Sequence, residues 1–205
     1  MAFNIYKRVF WEINHGLAKD NYVTNLSLSA FCRRYDIRSF TNLHVLDIGV
    51  GDGLFSKECA NSGNTVTAVD ICQAALDKVK NFAKSSYLTA EIKNVLPADI
   101  AVAHLVFQHN PEDEVYRIIQ DVKLKDTGIF CFQIAALNPN KSTLSSLVIR
   151  DLNLGMLHFY SKDKMLEIIS KTNKEVTDII GPIEFSDPYN FDWYLFKVKS
   201  SVSFF

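Results

Sequence analysis

Charge of either sign is not in excess in this sequence: 22 Lys plus Arg stand against 23 Asp plus Glu, a formal net charge of -1. A dedicated nucleic-acid binder carries a basic surplus that neutralises phosphates, so that partner is not expected. Long apolar runs are missing too, and none approaches the roughly 20 residues that a membrane-spanning helix needs. The opening stretch, Met1 to Trp11, lacks the charged, then apolar, then small order of a secretion signal. Cysteine is sparse: Cys32, Cys59, Cys72 and Cys131 are scattered, with no C-x-x-C pair and no clustered histidine. They read as reduced, buried thiols, and neither a disulfide framework nor a metal site is expected. What the chain does hold is apolar and aromatic: 48% of its residues are hydrophobic, with 15 Phe, 8 Tyr and 2 Trp. That composition excludes a disordered chain. A chain of 205 residues buries roughly 70% of its unfolded surface and needs no staples to fold. A single cytoplasmic domain is expected.

Hydrophobic periodicity divides the chain. Ile5, Val9, Phe10, Ile13 and Leu17 recur at helical spacing, as do Leu26, Ala30, Phe31 and Arg34. The aromatic stripe Tyr6, Phe10 and Trp11 reads as a helix packed on a sheet face or as a lid. The period then changes to a short β-branched strand, Leu43 to Ile48. After it come a helix from Leu54 to Ser62 stopped by Gly63, a strand from Thr65 to Val69, and a helix from Gln73 to Lys84. A weak strand is predicted over Tyr87 to Ile92 and a fully buried one over Ile100 to Phe107. Pro111 opens a helix reaching Val122, and a strand runs from Ile129 to Ile134. A helix follows Ser161 through Ser170, then two strands near Val176 to Phe185 and Asp192 to Lys199. Strand and helix alternating at this spacing imply right-handed βαβ crossovers and a parallel sheet covered on both faces.

The segment V-L-D-I-G-V-G-D-G, Val45 to Gly53, carries the chemistry. Gly49, Gly51 and Gly53 follow a strand and precede a helix, so the chain turns sharply and a ligand can approach its backbone. The helix start offers free N–H groups to an anion or a polar tail. One strand later, Asp70 can accept both hydroxyls of an adenosine ribose, with Ile71 packed on the adenine face. Asp70 is also placed to cap the next helix, and Asp52 to complement a helix dipole. A dinucleotide fingerprint would place a third spaced glycine where Leu54 stands, and Asp47 suits a ligand bearing an ammonium group better than a pyrophosphate.

D-x-G-x-G-x-G resembles the first motif of the class I S-adenosylmethionine-dependent methyltransferases. Two later segments resemble the same family in the same order: A-D-I-A-V-A-H-L-V-F-Q-H-N-P, Ala98 to Pro111, and L-H-F-Y-S-K-D-K-M-L-E-I-I-S, Leu157 to Ser170. The resemblance implies an α/β, Rossmann-like fold whose seven-stranded, mostly parallel sheet has the order 3-2-1-4-5-7-6, with only strand seven antiparallel. It implies a helical cap over residues 1–40, a core over 41–200 and a short tail at 201–205. The implied cofactor is S-adenosyl-L-methionine, bound by Asp47, Gly49, Gly51, Gly53, Asp70 and Ile71. The third-strand region lacks the family's acidic-then-small pair, which leaves Thr89, Glu91 and Ile92 only as neighbours of the adenine spot.

The expected position of His104, in the carboxyl half of the central strand, makes it a wall of the cofactor pocket or a hydrogen-bonded core residue. His109, past the strand end, is either the general base for an acceptor hydroxyl or a residue that orders the loop before Pro111. His158 is the second candidate base. The function read is methyl transfer to a small-molecule or glycan acceptor, the V-F-Q-H-N-P ending leaning toward a sugar hydroxyl. The alternatives are a non-catalytic methyltransferase-like subunit joined to a partner, and a nicotinamide oxidoreductase. Leu54, where a third spaced glycine would stand, disfavours the last.

Overall fold

The computed structural model describes residues 39–137, 158–183 and 191–201. The two predicted N-terminal helices, most of the expected cap and the end of the tail lie outside those residues. Eleven elements follow in order: β1 (His44–Ile48), α1 (Leu54–Asn61), β2 (Thr65–Asp70), α2 (Gln73–Val79), β3 (Ser85–Leu88), β4 (Ala98–Ala103), α3 (Glu112–Asp121), β5 (Leu124–Ala136), α4 (Lys162–Ser170), β6 (Lys174–Ile183) and β7 (Asp192–Ser200). The strands form one sheet of order β3-β2-β1-β4-β5-β7-β6, as expected. The first five pair in parallel, and β7 runs antiparallel to both β5 and β6.

Alternation along each strand sends side chains to opposite faces. On one face Leu46, Ile48, Ala101, Ala103, Phe130, Phe132 and Phe196 pack against α3 and α4, through Val115, Ile118, Met165 and Ile168. On the other, Val45, Val66, Ile100, Val102, Cys131 and Leu195 pack against Phe55 and Cys59 of α1. The helix α2 adds a third cluster with Val50 and Ala68. Cys59, Cys72 and Cys131 are buried, as expected. No helix of the described residues is long and apolar enough to cross a membrane.

Three element expectations need correction. The predicted strand Tyr87 to Ile92 ends at Leu88 and turns into a 3-10 helix over Thr89–Asn94, whose Ile92 is buried in the core. The predicted strand Ile100 to Phe107 begins earlier and stops at Ala103; Phe107–His109 is instead a 3-10 turn. The apolar run continued there because Phe107 is itself fully buried, with its ring 4.8 Å from that of Phe132. Hydrophobicity alone does not separate a buried strand from a buried turn. The helix α2 ends at Val79, short of Lys84, so that the chain can return to the sheet edge. The caps differ as well. Pro111 precedes α3 as its N-cap. Cys72, not Asp70, caps α2, its Sγ accepting from the Ala75 amide at 3.3 Å.

Candidate active site

The turn after β1 is built on three left-handed residues, Gly49 (φ 73°), Gly51 (φ 51°) and Gly53 (φ 76°). L-residues pay steric cost in that region, and glycine does not. At Gly49 a second reason applies, because a Cβ there would stand 2.5 Å from Cγ2 of Val106. The segment after β4 therefore rests on the glycine loop, and the two are mechanically joined.

Asp70 ends β2 with only 5% of its surface exposed. Its Oδ2 accepts the Gly51 amide at 3.3 Å and its Oδ1 accepts the Cys72 amide at 3.0 Å. A carboxylate offers about four lone-pair sites, and these amides take two of them. The acid thus braces the glycine loop and stands at the carboxyl end of the sheet. Ile71, beside it, is half-buried and packs with Leu88, the residue paired with Asp70 on β3. Glu91 accepts the Leu88 amide at 3.2 Å. Asp52 lies ahead of the α1 N-cap, so it is not the dipole acid expected; it pairs with Lys78 at 2.8 Å.

Asp47 leaves β1 on the face of Val45 and is 3% exposed. Its Oδ2 accepts from the Ser56 hydroxyl of α1 at 2.5 Å. Burial, opposed by that hydrogen bond and reinforced by the negative charge of Asp70, pushes the Asp47 carboxyl up to about 7.

At the other side of the same edge, His104 and His109 follow β4, and His158 is tied to that segment. His104 is the first residue past β4 rather than part of it, half-buried, and is followed by Leu105 with φ 56°. A bulky residue in that region costs on the order of 1–3 kcal/mol. The neighbouring burial of Phe107 contributes a similar roughly 1.5–3 kcal/mol and holds the turn in place. His109 closes that turn, and its amide donates to Val106 at 3.0 Å. The His158 amide donates to the Gln108 carbonyl at 2.7 Å, the Tyr160 amide to Ala135 at 3.1 Å, and the Tyr160 hydroxyl to the Asn110 carbonyl at 2.6 Å. Both candidate bases therefore lie on two segments stitched together, 50 residues apart in sequence.

Sequence reasoning passed over Ser56, Leu88 and Gln133. Ser56 carried no signal, being one small residue in an amphipathic helix. Gln133 did carry one: it is the lone polar residue of Ile129 to Ala136 and is fully buried.

Residues 46–132 match the family model of the methyltransferase domain. Over that span the chain is similar to the methyltransferase domain family. Its curated relatives include ubiquinone biosynthesis O-methyltransferases of Rickettsia typhi, 27% identical over 160 residues and 69% of this chain, and of Rickettsia akari, 24% identical over 177 residues and 77% of this chain. The chain spans 63% of the length of the first and 68% of the second. Among solved structures, the magnesium protoporphyrin IX methyltransferase of Synechocystis, with bound S-adenosylhomocysteine, superposes with a TM-score of 0.65 at 15% identity, covering 97% of this chain and 96% of that one. The mitomycin 7-O-methyltransferase gives 0.65 at 14% identity, over 98% of this chain and 57% of its own. At such identities these structures speak for the fold.

Proposed function

We propose that this chain transfers the methyl group of S-adenosylmethionine to a hydroxyl oxygen of a small molecule. The observation that carries it is the lock between Asp70 and the amide of Gly51, which places a buried carboxylate against a left-handed glycine turn at the sheet's carboxyl end. That arrangement suits an adenosine ribose: Asp70 would accept its hydroxyls, while Ile71 and Leu88 face the base and His104 walls the crevice. Gly49 to Gly53 would let the cofactor approach the backbone, with Asp47 nearest its ammonium group. The bound cofactor supplies a methyl group on a sulfonium, already activated for in-line displacement. What is left to the chain is to align the nucleophile, exclude water and remove the hydroxyl proton. His109 is the proposed base, with His158 next to it through the Gln108 contact. The relatives above are named for O-methylation in ubiquinone biosynthesis and not for sugars, so a small-molecule hydroxyl is proposed without commitment to a glycan.

The test is ligand linkage. S-adenosylhomocysteine should raise the melting temperature, increasingly so above its dissociation constant, while NAD and NADP leave it unchanged. Stabilisation by NADP alone would overturn the proposal in favour of an oxidoreductase.

A further inference from the structure

Gln133 lies in the middle of the sheet with none of its surface exposed, and among the described residues both its Oε1 and its Nε2 lack a hydrogen-bond partner. A buried amide left this way is destabilising, so a chain selected only for stability would hold Leu or Met there. The place of the residue gives it a use. Cys131 pairs with Val102 and Phe132 with Ala103, so Gln133 stands level with His104. Ile48 pairs with Ala103, which puts Gly49 in the same row. Strand alternation sends Gln133 to the face that holds Cys131, Val45 and Asp47. At strand spacings of about 4.8 Å and rises of about 3.3 Å per residue, Gln133 is roughly 12 Å from Asp47, two strands over and one pleat nearer the carboxyl edge.

One pleat further along that face an aromatic group begins. Ala135, opposite Trp193, clusters with Phe191, Leu105 and Phe159. The Phe159 and Phe191 rings are 4.9 Å apart, and those of Phe191 and Trp193 6.2 Å. An amide with an open donor and an open acceptor thus lies beneath an aromatic wall, beside the segment of the candidate bases.

We infer that Gln133 binds the methyl acceptor, its amide hydrogen-bonding a hydroxyl carried on a flat ring that the Phe159, Phe191 and Trp193 side chains hold. This rests on the methyltransferase reading and adds the acceptor class to it. The amide can accept the proton of such a hydroxyl or donate to its oxygen, and an apolar replacement can do neither.

The test uses the full chain saturated with S-adenosylhomocysteine, with 2-naphthol and its methyl ether as probes in titration calorimetry. The wild-type chain should bind 2-naphthol at least tenfold more tightly than the ether. Gln133→Leu and Gln133→Met should remove that preference, leave S-adenosylhomocysteine affinity within twofold, and melt at the same temperature as wild type or higher. The proposal is overturned if the preference survives in both variants. It is equally overturned if neither probe binds, or if both variants melt several degrees lower, which would make Gln133 a structural residue. A wild-type chain that does not bind S-adenosylhomocysteine at all would instead remove the methyltransferase reading, and this proposal with it.

Discussion

The two halves of the sheet's carboxyl edge treat their polar groups in opposite ways. Around β1 and β2, each buried acid has an internal partner: Asp47 has Ser56, and Asp70 has the amides of Gly51 and Cys72. Around β4 and β5, among the described residues, Gln133 has none for either end of its amide, and Oε1 of Gln108 has none either. Buried polar atoms are satisfied in more than about nine cases in ten, so exceptions confined to one half of one edge call for a cause. Under the proposed function the cofactor half would be finished in advance, its loop set before an adenosyl group binds, and the acceptor half would keep its hydrogen-bonding capacity for a molecule that supplies the missing partners.

The largest effect should come from the acceptor side. If His109 takes the hydroxyl proton, His109→Ala should lower turnover by about 10²–10⁴-fold, with S-adenosylhomocysteine affinity nearly unchanged. His109→Asn keeps hydrogen bonding without useful basicity and should be as slow. A histidine that only orders the turn before Pro111 would be partly rescued by Asn, and its loss would weaken cofactor binding as much as turnover. Steady-state rates and calorimetric affinities for both variants separate these accounts. The same pair at His158 asks whether the stitched segment supplies the base instead.

On the cofactor side, Asp70→Ala removes the acceptor of two backbone amides and of the proposed ribose contacts. Charge-assisted bonds of this kind are each worth about 1.5–3 kcal/mol, so affinity for S-adenosylhomocysteine should drop at least tenfold. Because the Gly51 and Cys72 amides lose their partner too, the melting temperature should fall as well. Calorimetry that finds wild-type affinity in a folded Asp70→Ala chain would leave Asp70 as a loop brace alone.

How much of this division was legible in the sequence differs between the same two halves. Gly49, Gly51 and Gly53 were legible because a left-handed turn demands glycine, and Asp70 as an acid at the end of the second strand; its ribose contact is part of the proposal. The sheet order followed from strand and helix alternation together with the family resemblance. The end of β4 was not legible, since Leu105, Val106 and Phe107 are as apolar as the strand before them. Only the left-handed Leu105 and the inward Phe107 show that the run changes direction. The Asp47–Ser56 bond depends on how α1 packs on β1, and the row joining Gly49, His104 and Gln133 on register across three strands, which no local pattern contains. Gln133 was visible as an oddity within an apolar strand, but its meaning needed the face on which it lies.

The two halves touch at Gly49 and Val106, and a smaller set of effects should follow from forcing them apart. Gly49→Ala meets a left-handed φ of 73° and a methyl group at 2.5 Å. The strain and overpacking together should cost on the order of 2–5 kcal/mol, read as a lower melting temperature at about 2–4 °C per kcal/mol for a chain of this size. Adding Val106→Ala should recover the overpacking share and leave the backbone share. Full additivity of the two losses would mean that the glycine loop and the β4 turn are not coupled.

The smallest effect, per unit of pH, concerns Asp47. Its carboxyl is pushed up from 3.8 to about 7, first by burial and further by Asp70, against the pull of the Ser56 hydrogen bond. A folded-state value above the unfolded one means that the folded chain holds the proton more tightly. The stabilisation is therefore fully present below about 3.8 and is lost as pH rises through about 7, with a slope of at most about 1.4 kcal/mol per pH unit between them. Asp47→Asn mimics the protonated acid, so it should melt higher than wild type at pH 8 and alongside it at pH 4. Ligand binding should run the other way. If Asp47 meets the ammonium group of the cofactor, the ligand favours the ionised carboxyl, and wild-type affinity for S-adenosylhomocysteine should weaken as pH falls below about 7, by at most tenfold per unit. In Asp47→Asn that dependence should vanish. Calorimetry at pH 8, 7 and 6 on both chains decides the matter: parallel profiles would assign Asp47 to bracing α1 through Ser56, with no part in holding the cofactor's tail.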